Sequence, residues 1–322
     1  MDKKDIKILT ELLMNSRIPI NRLAKKVGIS REVANYRINK LIKNGTILGF
    51  HTTINTESLG YSRFGCFFQL KNISLKRERE FLDYLKEHPF VNYLSPIIGK
   101  WNLAFDILAK NRDHLYAIIK EITSNIQGYI ESYIITSTGA EQETFPTKIL
   151  NINKEIQSQK MYKKQKLDQT DSEVLNLLSK NSRIEYKEIS EKLKITPNTI
   201  RYRIKNLENS MIRNYTISID IRKLGYEWQN IQLKVIGSKE DLLKQFLRQH
   251  KKVIYFYRYL GNENWDLDIG VIVKNPLELR EFILELREKF GGIIKIYDIY
   301  IIIEELKGNY APEGIFKIEE IT

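Results

Sequence analysis

The chain has 322 residues, 42% of them hydrophobic, with one cysteine and a formal net charge of +12. That is apolar content for several small cores, since domains run to about 100–150 residues. No apolar run approaches the roughly 20 residues of a membrane-spanning helix, and Cys66 alone excludes an intrachain disulfide framework. Lying in the apolar run 64–68, Cys66 reads as a buried small hydrophobe, not a nucleophile. Met1-Asp2-Lys3-Lys4-Asp5 has no signal-peptide pattern, which with the unpaired cysteine points to the cytoplasm.

Residues 2–14 predict a helix, with Ile6, Leu9, Leu12 and Leu13 at helical spacing and Asp2 and Asp5 at its positive end. Asn15-Ser16-Arg17 breaks it. A second helix follows over 20–27, with Leu23, Ala24 and Val27 on one face, and Gly28 supplies a turn that asks for positive φ. Ser30 is an N-cap for a third helix over 31–44, whose buried stripe is Ala34, Ile38 and Leu41. Gly45 ends it, and 47–54 alternates toward a β-ribbon with Gly49 between its arms. Helix, helix, short turn, capped helix and ribbon make a winged helix-turn-helix, which presents its third helix to a major groove. The groove-facing side chains are Ser30, Arg31, Glu32, Asn35, Tyr36, Arg37 and Lys40. Arg and Asn make bidentate contacts to base edges; Lys, Ser and Tyr reach phosphates.

Residues 63–70, 91–98, 101–109 and 129–137 then read as strands, with helices over 76–88 and 112–126. This β-α-β-β-α-β order predicts a ferredoxin-like split sandwich with both helices on one sheet face. The strands are apolar on both faces, as at Ile97-Ile98. The uncovered face therefore asks for another sheet packed against it, from within the chain or from another chain.

From Asp168 the chain begins again. Asn15-Ser16-Arg17-Ile18 returns as Asn181-Ser182-Arg183-Ile184, Tyr36-Arg37-Ile38 as Tyr202-Arg203-Ile204, and Leu59-Gly60-Tyr61 as Leu224-Gly225-Tyr226. One long repeat means two copies of a multi-domain unit rather than a solenoid. The second reading helix opens at Thr196-Pro197 and keeps a stripe of Ile200, Ile204 and Leu207. Its groove-facing candidates are Thr196, Asn198, Thr199, Arg201, Tyr202, Arg203 and Lys205. Lys194 replaces the turn glycine, and Glu185, Glu188 and Glu191 acidify the preceding helix. The two copies should therefore read unlike half-sites, the first being the stronger DNA reader. The second sandwich is predicted over 228–236, 239–250, 253–260, 265–273, 276–290 and 293–303.

Charge follows this division. It is +6 over 1–60, zero over 61–147, +5 over 148–167, +3 over 168–226 and −2 over 227–322. A polyanion partner for the helical segments and neutral surroundings for the sandwiches is the simplest reading. The expected boundaries are 1–60 and 168–226 for the winged helices, 61–147 and 227–312 for the sandwiches, 148–167 for a basic linker carrying Lys160, Lys163, Lys164 and Lys166, and 313–322 for a tail. The fold class is α+β.

In this order, winged helix, Leu-Gly-Tyr junction and βαββαβ module resemble the Lrp/AsnC (feast/famine) transcription regulators, here as a tandem fusion. The specific stretches are Val27-Gly28-Ile29-Ser30, Tyr36-Arg37-Ile38 and Gly45-Thr46-Ile47-Leu48-Gly49-Phe50. The resemblance implies double-stranded DNA as partner, self-association through the sandwich modules, and an amino-acid or other small effector near a turn between their second and third strands. Gly99, Trp101 and Asn102 match that turn in the first copy; Gly261, Trp265 and Asp266 match it in the second, with Thr136, Ser137 and Thr138 on a neighbouring strand. Where the family acid would take an effector amine, the first copy offers only Asn102; the second has Asp266 but Ile301-Ile302-Ile303 in place of the hydroxyls. Sirohaem decarboxylases share this architecture and are the alternative. Their chemistry would need cationic and acid–base groups in the sandwich, where only Arg258, among aromatics, is a candidate. The expectation is thus a sequence-specific regulator and not an enzyme, with no cofactor, no metal site and no catalytic residue.

Overall fold

A computed structural model describes residues 1–150, 152, 167–237, 240–260, 264–308 and 311–317, with backbone only at 139–141. The linker lysines 160, 163, 164 and 166, and Gly261 of the second effector turn, lie outside the described residues. The first copy runs α1 (Lys3–Met14), α2 (Ile20–Val27), α3 (Arg31–Lys43), β1 (Ile47–Ile54), β2 (Ser62–Leu70), α4 (Leu75–Glu87), β3 (Val91–Ile98), β4 (Leu103–Ala109), α5 (Arg112–Asn125) and β5 (Ile130–Thr144). The second repeats it as α6 (Gln169–Lys180), α7 (Tyr186–Leu193), α8 (Pro197–Ser210), β6 (Ile212–Ile219), β7 (Glu227–Val235), α9 (Glu240–Gln249), β8 (Val253–Leu260), β9 (Leu267–Val273), α10 (Pro276–Phe290) and β10 (Ile294–Ile302). These elements gather into two compact units that cut across the repeat. One holds Met1–Tyr61, Ile156–Asp220 and Gly308–Thr322; the other holds Ser62–Glu155 and Ile221–Lys307.

In the first unit the helices form where the side chains cap them. Asp2 and Asp168 accept amide hydrogen bonds at the starts of α1 and α6. Ser30 and Thr196 accept from Val33 and Thr199 at the starts of α3 and α8. The turn between the second and third helices is left-handed in both copies, at Gly28 (φ 72°) and at Lys194 (φ 55°). The lysine carries the steric cost that glycine avoids, roughly 1 kcal/mol.

β1 is not a ribbon folded at Gly49. It is one strand that pairs antiparallel with β6, from Ile47 opposite Ile219 to Ile54 opposite Ile212. The alternation of 47–54 was legible, but a strand pattern does not name its partner, and each β1-type strand finds its own counterpart. Ser16 and Ser182 meet hydroxyl to hydroxyl at 2.6 Å, marking a pseudo-two-fold axis. Around it Ser16 donates its amide to Tyr215 O and Ser182 donates to Phe50 O, equivalent bonds in opposite directions.

The second unit closes. Its eight long strands run β10-β7-β9-β8-β5-β2-β4-β3, and β3 returns to β10 through Ile97–Ile302 and Ile98–Ile301. Each copy contributes a four-stranded antiparallel sheet. The two sheets join at the β5–β8 and β3–β10 seams, which leaves no free edge among these strands. The predicted second sheet is thus supplied within the chain, and the contact goes beyond face-to-face stacking to hydrogen-bonded edges. The helices cover the outer faces. Phe68, Phe105 and Ile107 pack with Phe81 and Ile122 in one copy, and Ile231, Ile269 and Phe256 pack with Leu243 and Phe282 in the other. Cys66 lies in the first of these cores, where burial pushes its thiol pKa up. Two lysines cross the seams reciprocally. Lys148, after β5, donates to Arg248 O (2.7 Å) and His250 O (3.0 Å) at the end of α9; Lys307, after β10, donates to His88 O (2.9 Å) at the end of α4. Burial lowers both to about 8.

Candidate nucleic-acid interface and barrel interior

On α3 the side chains of Ser30, Arg31, Glu32, Asn35, Tyr36 and Lys40 are exposed; on α8 so are Thr196, Asn198, Thr199, Arg201, Tyr202 and Lys205. Tyr36 and Tyr202 are each 67% exposed, the same surface at equivalent positions. Two residues depart from expectation. Arg37 bonds to Asp2 and Asp5, and Arg203 to Asp168 and Asp171, so each ties the reading helix to the first helix of its own copy. The bond to Asp2 holds the Arg37 pKa up, and the Asp5 amide with Arg37 holds the Asp2 carboxyl low. The repeated Tyr-Arg-Ile is therefore framework at its arginine, and Arg37 and Arg203 are withdrawn as base readers.

The two copies differ in the helix beneath. α2 exposes Arg22, Lys25 and Lys26 and no acid. α7 pairs Lys192 with Glu188 at 2.8 Å and Lys187 with Glu191 at 3.8 Å, which cancels its charge internally. Lys4 donates to Val27 O and Gly28 O at the end of α2, adding a cation there that Thr170, its counterpart, does not.

In the barrel the expected effector positions make the following contacts. Asn102 accepts from the Leu70 amide (2.9 Å) and donates to Leu70 O (3.1 Å), stitching the turn to the end of β2. Asp266 does the equivalent with the Val235 amide (2.8 Å) and binds Lys234 at 3.2 Å. Both side chains are thus engaged with backbone at the end of the neighbouring strand. Gly99 sits where an added Cβ would lie 3.0 Å from Ile299 O, so it serves the β3–β10 seam. Trp101 and Trp265 are buried among Phe67, Ile97, Tyr259 and Tyr300. Thr136 donates to Gly65 O and Thr138 to Arg63 O, while Ser137 lies in the ladder between Phe64 and Leu260. Arg258 bonds to Glu240 of α9. His88 and His250 accept amides two residues on, Phe90 and Lys252, as equivalent helix-end residues.

The polar centre of the barrel lies elsewhere. Asp268, fully buried on β9, accepts from the hydroxyls of Tyr259 (2.7 Å) and Tyr300 (2.9 Å) and from Asn230 and Gln232 of β7. Burial pushes its pKa up to about 6 against those bonds, and Glu305 up to about 7. In the other half Arg63 faces Asp106 at 3.8 Å and bonds Gln142 and Thr138. In the sequence, Asn230, Gln232 and Lys234 at every second position of β7 mark this polar face. Among the described residues no group of three or more His, Cys, Asp or Glu side chains forms a metal site.

A winged helix-turn-helix DNA-binding family profile matches residues 1–47 and 167–210. The HTH-type transcriptional regulator LrpB of Bacillus subtilis is 31% identical over 147 residues, spanning 45% of this chain and 93% of the relative. The chain belongs to the Lrp/AsnC family of HTH-type transcriptional regulators. Another relative, an uncharacterized HTH-type transcriptional regulator of Pyrococcus furiosus, is 36% identical over 110 residues, 34% of this chain and 72% of its own. These relatives match a third to a half of this Lrp/AsnC chain, in keeping with its duplication. Over its whole length the arrangement has a solved counterpart, the siroheme decarboxylase NirDL, with a TM-score of 0.66 and 14% identity, covering 98% of this chain and 96% of that one. A second NirDL structure, in complex with an iron-uroporphyrin III analogue, has a TM-score of 0.65. At this identity the likeness is one of fold. It overturns the expectation that the chain is not an enzyme, because the whole tandem architecture is one that carries catalysis.

Proposed function

We propose that the chain is a cytoplasmic, sequence-specific DNA-binding regulator in which one polypeptide presents two unlike reading helices. The observation that supports this most is the exposed pair Arg31 and Asn35 on α3 against Asn198 and Arg201 on α8, carried on equivalent, capped and salt-bridged frames. Arg31 and Asn35 supply base-edge chemistry to the first half-site, with Lys40 and Tyr36 on phosphates. The paired winged helices set the two sites about one helical turn, or a multiple, apart. Arg31→Ala with Asn35→Ala is expected to weaken specific binding by roughly 1–3 kcal/mol per lost base contact while nonspecific binding holds. A footprint assay on genomic fragments reads this, and unchanged specificity refutes the assignment.

A second reading, a decarboxylase acting on a tetrapyrrole, is supported by the barrel interior. Burial raises the Asp268 and Glu305 carboxyls to about 6 and about 7, toward the range of a general acid, and Arg63 is a cation for a substrate carboxylate. Adding sirohaem separates the two: a stoichiometric shift of its absorption band with release of carbon dioxide favours the enzyme and counts against the regulator.

A further inference from the structure

At the pseudo-two-fold axis of the first unit lie arginines outside the reading helices' expected contacts. Arg17, which precedes α2, crosses into the second copy, where its guanidinium donates to Ser182 O (2.5 Å) and Ile184 O (3.1 Å). It lies 5.1 Å from the ring centre of Tyr186, the first residue of α7, and 5.4 Å from that of Tyr215. The same Tyr186 ring receives Arg201 of the reading helix α8, at 5.5 Å. Arg183, the counterpart of Arg17, donates to Ser16 O and stacks on Phe50 at 5.3 Å; burial and the nearby Arg17 charge lower its pKa.

Three guanidiniums thus gather around one seam, and none of them forms a salt bridge to a carboxylate among the described residues. The acids nearby are otherwise placed. Glu208 accepts from the Tyr215 hydroxyl at 2.9 Å, and Glu185 is exposed at the start of α7. Ring faces and carbonyls orient guanidiniums without neutralising them, so their mutual repulsion persists until an anion arrives. Arg201 fixes where that anion is: Arg17 shares the Tyr186 ring with the reading helix itself. The first copy has no such bridge, since Ile20 stands at the position of Tyr186 and Asn35 at that of Arg201.

We propose that Arg17 and Arg201, both held over the ring of Tyr186, clamp neighbouring backbone phosphates of DNA beside the second half-site, with Arg183 adding to the field. Resting on the DNA-binding reading above, this names how the charge-cancelled second copy docks. A duplex presents one phosphate charge per 3.4 Å of each strand, so two guanidiniums over one ring meet neighbouring phosphates without reading bases. The clamp contributes affinity and salt dependence; the first copy contributes most of the sequence preference.

The full-length protein is titrated onto a duplex recovered by selection from random sequence, at a series of salt concentrations. Arg17→Gln is expected to lower the slope of log K against log salt by about 0.9, and the double variant with Arg201→Gln by about twice that, with the preferred sequence of the first half-site unchanged. Thermal melts monitor folding. Should Arg17→Gln melt early, the test passes to the wild-type protein on duplexes bearing single ethylated phosphates: one neutralised phosphate beside the second half-site should weaken binding. An unchanged slope in a normally melting Arg17→Gln, or indifference to every ethylation there, overturns the clamp. A lowered slope in a protein that shows no base preference leaves the clamp standing and removes the sequence-specific reading instead.

Discussion

The two halves of the barrel share a backbone and differ in what fills it. On the first copy's strands Gly65, Phe67, Ala104 and Ile97 occupy the positions that the second copy gives to Asn230, Gln232, Asp268 and Tyr259. The outer, helix-facing stripes stay apolar in both, because they must fit α4, α5, α9 and α10. Inward positions met no such demand in common, so one half holds small and aromatic residues beside the Arg63–Asp106 pair, while the other holds the hydrogen-bonded Asp268 centre. Where two copies of a fold agree, packing is at work; where they part, chemistry has room.

The sharpest way to break this comparison is Asp268→Asn. The folded carboxyl titrates near 6 and the unfolded one near 3.8, so the folded state holds the extra proton between those values and stability falls as pH rises from about 4 to about 6. The difference between wild type and variant, from denaturant melts at pH 4 and pH 7, should change by about 2 kcal/mol, with Glu305 cancelling because both proteins retain it. A difference independent of pH would mean that the carboxylate is already ionised in place. Next comes the stitched turn. Asn102→Ala removes a donor and an acceptor to Leu70 and should cost about 2 kcal/mol in thermal or denaturant melts. Asp266→Ala should cost less, since it loses one backbone bond and a partly exposed lysine. Equal losses would show the two turns to be energetically alike despite their side chains. The smallest effect is in the other unit: Lys194→Gly should stabilise it by about 1 kcal/mol, and Gly28→Ala should act in the opposite direction. Loss of stability in Lys194→Gly would mean that the lysine has a compensating contact.

Local signals carried much of this into the sequence. N-caps at Ser30 and Thr196, the left-handed turn at residues 28 and 194, and the βαββαβ order are each written within a few residues of one another. What escaped was non-local. That β1 pairs with β6, that Arg37 reaches back to Asp2 and Asp5, and that Asn102 binds the end of β2 are contacts across 30 to 170 residues, which no window of sequence displays. The candidate site suffered most. Its acids were sought at the family turn, while Asp268 lay two residues further on, in a strand read only as apolar.

Closing both seams inside one polypeptide has a further consequence. In a dimer of identical chains every substitution is made twice, so a carboxylate at the position of Asp268 would be accompanied by its twin. Here Ala104 stands at that second position, so Asp268 sits in the interior without a mirror-image carboxylate. Fusion frees each residue from its own mirror image, and the barrel can acquire a direction that a symmetric assembly is denied.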